Sequence, residues 1–182
     1  MSQGENQMAH LMSRYPIFQY AYYVNDLEAS IEKWAKLYYA GPFLMVPHHK
    51  TDKFHYRGQN IEADVSYAFG YLGDMMIQFI QQHDDKPSIY RDMYKAGEEG
   101  YHHLGLLVHD FEAEYARMQE AGFVDACRLY ADQVDACYFD TRSVSGGFTE
   151  LHGDPSHILA SFAQWKRAHE LFKPGDSPFM TR

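Results

Sequence analysis

The sequence has little positive charge, almost no cysteine and no long apolar run, and each shortage excludes a class of protein. Lysine and arginine number 16 against 25 aspartates and glutamates, a formal net charge of −9, so a nucleic-acid groove or an anionic membrane surface is not expected. Only Cys127 and Cys137 are present, which argues against a disulfide framework and favours reduced thiols in a cytoplasmic protein. The sequence has no apolar run of about 18 residues, so no transmembrane helix is expected. No signal peptide is expected at the N-terminus either.

Apolar and aromatic residues are plentiful. Hydrophobic residues make up 46% of the 182 residues and aromatic residues 16%, which is typical of a packed interior and unlike a disordered chain. The length suits one domain, or two small modules that share a core. The composition therefore predicts a soluble, acidic, cytoplasmic globular protein.

An internal repeat organises the chain. The segment at 17–40, IFQYAYYVNDLEASIEKWAKLYYA, has a second version at 101–123, YHHLGLLVHDFEAEYARMQEAGF. One shift of the sequence aligns Gln19 with His103, Val24 with Val108, and Asp26 with Asp110. Each version is an apolar strand, a short turn that ends in aspartate, and an amphipathic helix, so the chain is predicted to contain one structural unit twice.

The order of elements is strand, helix and three strands, repeated. This order predicts an α+β fold in which two tandem βαβββ modules form a curved mixed sheet around a central cleft, with a C-terminal helix. Residues 48–60 are predicted to be a polar loop that carries several histidines. The predicted boundaries are an N-terminal tail at 1–16, a first module at 17–83, a linker at 84–100, a second module at 101–155, and a C-terminal helix and tail at 156–182.

Four polar side chains occupy equivalent places in the two modules. Gln19 and His103 lie on the first strands, and the last strands, MMIQFIQQ and GGFTELHG, align Gln78 with Glu150. Polar side chains inside apolar strands need partners, and a metal ion is one way of supplying them. Since alternate side chains of a strand face opposite ways, His102 is predicted to point away from His103.

These features resemble the vicinal oxygen chelate superfamily, which includes glyoxalase I, methylmalonyl-CoA epimerase, bleomycin-resistance proteins and extradiol dioxygenases. The resemblance covers roughly residues 17–155 and rests on YHHLGLLVHD, FTELHGD and GPFLMVP. In that family the first and last strands of each module donate the metal ligands. The resemblance therefore implies that Gln19, Gln78, His103 and Glu150 surround one divalent ion, such as Zn, Mn, Co, Ni or Mg.

The proton-transfer branch of the family implies a reaction. It suggests a metal-dependent isomerase, epimerase or lyase acting on a small substrate with adjacent oxygens, with a thioester or a thiol adduct among the candidates. Glu150 would be both ligand and catalytic base. Gln78 cannot accept a proton, so a second base would come from Glu62, Asp64 or a histidine of the loop, and the sequence does not decide between them. The substrate pocket is predicted to include Tyr67, Met76, Phe148, His49 and His55.

Two other functions stay open from the sequence. Fifteen tyrosines and twelve phenylalanines would also suit a metal-free binding protein of the bleomycin-resistance type, with an aromatic cleft. An extradiol dioxygenase is less favoured, because its ferrous centre usually has two histidines and a carboxylate, and Gln19 stands in the place of the second histidine. A homodimer is predicted, with the C-terminal helix as an interface or a lid.

Overall fold

The computed structural model describes residues 14–180, so the predicted tail at 1–16 lies outside the described residues except for its last three positions. The described residues form ten strands and four helices. The strands are β1 Ile17–Tyr23, β2 Leu44–Val46, β3 Lys53–Tyr56, β4 Gln59–Asn60, β5 Val65–Leu72, β6 Met75–Gln82, β7 Gly100–Val108, β8 Asp125–Ala131, β9 Val134–Phe139 and β10 Phe148–Gly153. The helices are α1 Leu27–Tyr38, α2 Phe111–Glu120, α3 Arg142–Ser145 and α4 Ser156–Leu171.

All ten strands belong to one mixed sheet, in the order β2-β5-β6-β1-β7-β10-β9-β8-β3-β4. The first strands of the two repeats, β1 and β7, pair antiparallel at its centre. Each of them also pairs in parallel with the last strand of its own repeat, β1 with β6 and β7 with β10. The prediction of an α+β fold built on a curved mixed sheet with a C-terminal helix is confirmed.

The two aspartates that the repeat aligns begin the two equivalent helices. The Asp26 carboxylate accepts a hydrogen bond from the backbone N–H of Ala29 at 2.9 Å, and Asp110 does the same for Ala113 at 3.2 Å. A side-chain acceptor at this position satisfies one of the backbone donors that a helix leaves free at its start. The shared turn of the repeat is therefore a shared helix cap.

The prediction of a loop at 48–60 is wrong for residues 53–56 and 59–60, which form strands. Residues 53–56 form β3, which pairs antiparallel with β8 of the second repeat and places Phe54 beside Leu129. Phe54 is only 5% exposed and packs edge-on against the buried ring of Tyr90. This segment forms a strand because it buries the Phe54 side chain and pairs with the edge of β8. The sequence did not reveal it, because one apolar residue among polar neighbours is too short a pattern to indicate a strand.

The C-terminal helix α4 lies over the open face of the sheet. Phe162 stacks on Phe18 of β1 at 5.7 Å, and Trp165 stacks on Phe69 of β5 at 5.4 Å. The chain after α4 returns to the start of β2, where the Phe43 N–H donates to the carbonyl of Pro178 at 2.7 Å. In the described part of the chain, no helix is long and apolar enough to cross a membrane.

Candidate metal centre and substrate cavity

Two β-bulges place the central polar residues. The register between β1 and β7 shifts once at Phe18 and once at His102. Each bulge residue directly precedes a predicted site residue, Gln19 or His103, and the two bulges occupy equivalent places in the repeat. An extra residue in a strand bends it and turns the next side chains, which is why bulges occur beside functional sites.

The structure brings all four predicted ligands together. The amide nitrogen of Gln19 lies 2.9 Å from Oε1 of Gln78, 3.2 Å from Nε2 of His103 and 3.3 Å from Oε2 of Glu150. Nε2 of His103 is also 3.4 Å from Oε2 of Glu150. All four side chains are at most 5% exposed. The sheet register accounts for the convergence, since Gln78 stands level with Ala21 on β1 and Glu150 level with Gly105 on β7.

The donor set of this cluster fits a divalent ion. The Gln19 amide has two N–H groups but faces three acceptor groups within 3.3 Å, so one acceptor is left without a proton unless His103 is charged. With the Gln19 amide turned so that its oxygen takes the place of its nitrogen, one imidazole nitrogen, one carboxylate and two amide oxygens suit a divalent ion with mixed nitrogen and oxygen ligands. The described residues hold no group of three or more His, Cys, Asp or Glu suited to a metal, so an ion here would depend on the two amides.

His102 does not point away from His103, so that prediction is wrong. The bulge turns its ring until Nδ1 lies 2.9 Å from Nδ1 of His103, while its Nε2 lies 3.2 Å from the carbonyl of Ile89. A carbonyl only accepts, so Nε2 of His102 carries the proton and its Nδ1 accepts. His103 then donates through Nδ1, which leaves its Nε2 as the unprotonated nitrogen that faces Gln19 and Glu150. This is the tautomer that a metal ligand requires.

Glu150 is a buried carboxyl whose surroundings favour the ionised form. Burial acts to raise its pKa, but the charge and hydrogen bond that His103 supplies when it is protonated, the charge of protonated His152 and the hydrogen bond of Tyr138 together hold the pKa below its usual value. Tyr138 stands opposite Glu150 on β9, and burial raises the pKa of its phenol well above 10.0. At neutral pH the pair is therefore a carboxylate beside an un-ionised phenol.

The cluster opens onto a cavity of about 480 Å³. Gln19, Gln78 and Glu150 reach its surface, and His103 lies directly behind them, completely buried. The apolar walls come from both ends of the sheet and from α4. Their residues are Leu44, Val46, Tyr67, Phe69, Leu129, Ala131, Val134, Ala136, Tyr138, Ile158, Phe162 and Trp165.

The other predicted pocket residues divide into two groups. Tyr67 and His49 line the cavity, and their rings meet edge to face at 5.5 Å. Met76, Phe148 and His55 do not line it. Met76 and Phe148 are completely buried in the core, and His55 lies on β3 with its ring nitrogen 3.1 Å from the side chain of Asn60.

The suggested second bases, Glu62 and Asp64, also lie outside the cavity, which instead contains His152. Nδ1 of His152 lies 2.6 Å from the carbonyl of Gly153, so Nδ1 carries the proton and the neutral ring has Nε2 free. His152 is two residues beyond Glu150 on β10, and this spacing places both side chains on one face of a strand. The spacing is readable in FTELHGD and could have identified His152 from the sequence.

Solved structures with a similar fold include methylmalonyl-CoA epimerases. The enzyme from Mycobacterium tuberculosis matches with a TM-score of 0.56 and 16% identity over 79% of this chain and 91% of its own. A variant of the Streptomyces coelicolor enzyme, in complex with 2-nitronate-propionyl-CoA, matches with a TM-score of 0.53 and 19% identity over 77% and 97%. The hypothetical protein BH1468 from Bacillus halodurans matches with a TM-score of 0.55 and 15% identity over 78% and 96%. At these identities the likeness shows the fold alone.

The sequence itself also matches a known family. No curated protein matches it significantly, but a family model described as Glyoxalase/Bleomycin resistance protein/Dioxygenase superfamily matches residues 18–138, more than half of the chain. The match includes both central strands, β1 and β7, and the resemblance noted in the sequence points to the same family. The chain therefore belongs to the Glyoxalase/Bleomycin resistance protein/Dioxygenase superfamily.

Proposed function

We propose that this protein is a divalent-metal-dependent isomerase, epimerase or lyase that moves a proton on a carbon beside two adjacent oxygens of a small substrate. The convergence of Gln19, Gln78, His103 and Glu150, with contacts of 3.4 Å or less, beside a largely apolar cavity carries the proposal. A cavity with apolar walls and a few convergent polar groups is the usual form of a small-molecule site. The donor set has one histidine, which favours this reaction class over ring cleavage with oxygen.

Gln19, Gln78 and His103 would hold the ion together with Glu150. When bound, a divalent ion would act as a Lewis acid toward the oxygens of the substrate. The Glu150 carboxylate borders the cavity and accepts the proton from the substrate carbon. Its lowered pKa keeps it ionised at neutral pH, but it also makes Glu150 a weak base, so it can remove only a strongly acidified proton.

His152 can act as the second group that accepts and returns a proton. Its Nε2 is free because Nδ1 donates to the carbonyl of Gly153. An imidazole can take up and return a proton near neutral pH, which the Gln78 amide cannot do. If the first module carried a glutamate in place of Gln78, the two modules would supply a pair of carboxylates. In this protein, Glu150 and His152 take the roles of that pair.

Hydrogen exchange at the substrate carbon tests the proposed function. Metal-loaded protein is incubated with α-hydroxyacetophenone in deuterium oxide, and loss of the α-hydrogen signal is followed by proton NMR. The wild type is expected to exchange this hydrogen, and Glu150→Gln should exchange it about 100-fold more slowly or less. His55→Gln, outside the cavity, is the matched control. Wild-type exchange by Glu150→Gln would contradict the role of Glu150, and binding without exchange would support the metal-free binding alternative.

The remaining predictions about the cellular setting stay predictions. They are a homodimer and a cytoplasmic location.

A further inference from the structure

We infer that the substrate of this cavity is an uncharged, ring-bearing compound, so that coenzyme A thioesters and other polyanions are excluded. The inference rests on the proposed function for the position of the two oxygens. The walls of the cavity support the rest of the inference, because they determine the charge and the shape of the part of the substrate away from the two oxygens.

The first observation is the charge of the lining. Among the residues that the structure describes, no lysine or arginine lines the cavity, and its formally charged members are the carboxylates Glu150 and Asp132. His49, His152 and His157 also line the cavity, so an anionic group away from the metal centre would find no permanent cation there and could pair only with a protonated imidazole, at a cost in burying its charge. The phosphates of coenzyme A would likewise meet two carboxylates and no fixed positive charge.

Two lysines beside the cavity do not change this balance. Lys53 and Lys86 line a neighbouring hollow. The ammonium group of Lys86 donates to the carbonyl of Glu62 and lies 3.7 Å from Asp84, and that of Lys53 lies 5.6 Å from the centre of the Tyr130 ring. An anion reaching this hollow would compete with partners that both lysines already have.

The second observation is the shape and chemistry of the walls. Tyr67, Phe69 and Tyr138 line the cavity from the sheet, and Phe162 and Trp165 line it from α4. Trp165 stacks on Phe69 with an angle of 20° between the rings, so the two elements meet through flat aromatic faces. The aromatic surfaces that this stack leaves toward the cavity, with those of Tyr67, Tyr138 and Phe162, can contact a bound ring in stacked or edge-to-face arrangements.

The third observation is the separation of polar and apolar groups. The ligand set comes from the central strands of the sheet, and the walls formed by β2, β5, β8, β9 and α4 are mainly apolar. A bound molecule is therefore expected to place two adjacent oxygens at the ligand set and an apolar ring system under α4. An α-hydroxyketone on an aromatic ring has this arrangement.

A matched pair of ligands tests the inference without any turnover. Methyl para-(hydroxyacetyl)benzoate is neutral, and para-(hydroxyacetyl)benzoate has the same ring and the same adjacent oxygens but carries a charge at the far end. Their affinities for metal-loaded protein are measured by calorimetry, with propionyl-CoA as a polyanion. The ester is expected to bind at least about tenfold more tightly than the acid, because the acid buries a charge in a cavity that offers it no permanent cation. Equal affinities, tighter binding of the acid or of propionyl-CoA, or no binding of the ester would overturn the inference.

A charge placed in the wall provides a second test. Leu129 lines the cavity from β8, and Leu129→Lys should lower the ratio of ester to acid affinity toward one. Val124→Lys adds the same charge at an exposed position outside the cavity and should leave the ratio unchanged. An unchanged ratio in folded Leu129→Lys would contradict the account, and the wild-type comparison decides the question if that variant does not fold. Ester binding without exchange of its α-hydrogen would refute the proposed function alone and leave the substrate class standing.

Discussion

His102 and His103 are neighbours in one strand, and yet their Nδ1 atoms lie 2.9 Å apart. A regular strand would turn the two rings to opposite faces, and the bulge at His102 is what brings them together. The carbonyl of Ile89 sets the proton of His102 on Nε2. His102 thereby determines which nitrogen of His103 faces the candidate metal centre.

Removing the acceptor of His102 should weaken metal binding. In His102→Phe the proton of His103 Nδ1 loses its partner, so both tautomers of His103 become populated, and metal affinity is expected to fall about 10- to 100-fold. His102→Asn offers an amide oxygen near the former Nδ1 and should restore much of the affinity. The measurements are calorimetric metal titration and nitrogen NMR of the His103 ring in the metal-free protein. A single unchanged tautomer in His102→Phe would refute this role.

His102 should also make the protein less stable in mild acid. Burial, followed by the charge of His103, holds the pKa of His102 well below 6.5. The unfolded chain takes up a proton at this residue below about pH 6.5 while the folded protein does not, so the free energy of unfolding decreases as the pH falls toward the folded pKa. The largest slope from this residue is about 1.4 kcal/mol per pH unit.

Urea titrations between about pH 5 and 7.5 measure this slope. The lowered pKa of Glu150 contributes stability above its unfolded pKa, and that stability is lost only as the pH falls through the lower folded pKa. The loss from His102 therefore begins first on acidification. The slope between about pH 5 and 6.5 should shrink in His102→Phe and persist in His55→Phe. An unchanged slope in His102→Phe would show that another group is responsible.

Gly105 is expected to be required for the close approach of β1 and β7. A Cβ at this position would lie 2.7 Å from Cε1 of Phe18 and 3.2 Å from Cβ of Gln19. Gly105→Ala should lower the free energy of unfolding by about 1–3 kcal/mol and displace Gln19, as measured by urea titration and metal titration. Gly153→Ala is the control, because its nearest contact would be an ordinary 3.4 Å. Wild-type stability and metal affinity in Gly105→Ala would contradict the account.

The strand β3 should protect its backbone from hydrogen exchange. Residues 53–56 pair with β8, so the backbone amides that are hydrogen-bonded in this pairing are expected to exchange far more slowly than those of an open loop. Phe54→Ala should remove this protection and cost about 3 kcal/mol or more of stability. Mass spectrometry of the exchanged protein follows the protection at peptide level, and urea titration gives the stability. Rapid exchange across residues 53–56 in the wild type would contradict the strand and support the open loop that the polar sequence suggested.

The sequence was sufficient for the outline of the site because the repeat supplies its own internal alignment. Gln19 matches His103, and Gln78 matches Glu150, and all four meet in the structure. A period of two within a strand places Glu150 on an inward face, and the same rule would have added His152.

The features that the sequence did not reveal depend on contacts between distant segments. A bulge is defined by the register of two paired strands, so no local pattern marked Phe18 or His102. The pairing of β3 with β8 joins Lys53 to Tyr130, far apart in the chain, and α4 acquires its role as a cover only once Trp165 lies on Phe69. Hydrophobic periodicity reports which face of an element is buried, but not which element covers it.

Metal titration of chelator-treated protein, followed by calorimetry, tests the central claim most directly. We expect one divalent ion per chain, with affinity reduced at least about 100-fold in His103→Ala and in Glu150→Ala, and wild-type binding in His55→Ala. Binding of no ion, or binding that is unaffected by His103→Ala, would contradict the assignment of Gln19, Gln78, His103 and Glu150 as a metal centre.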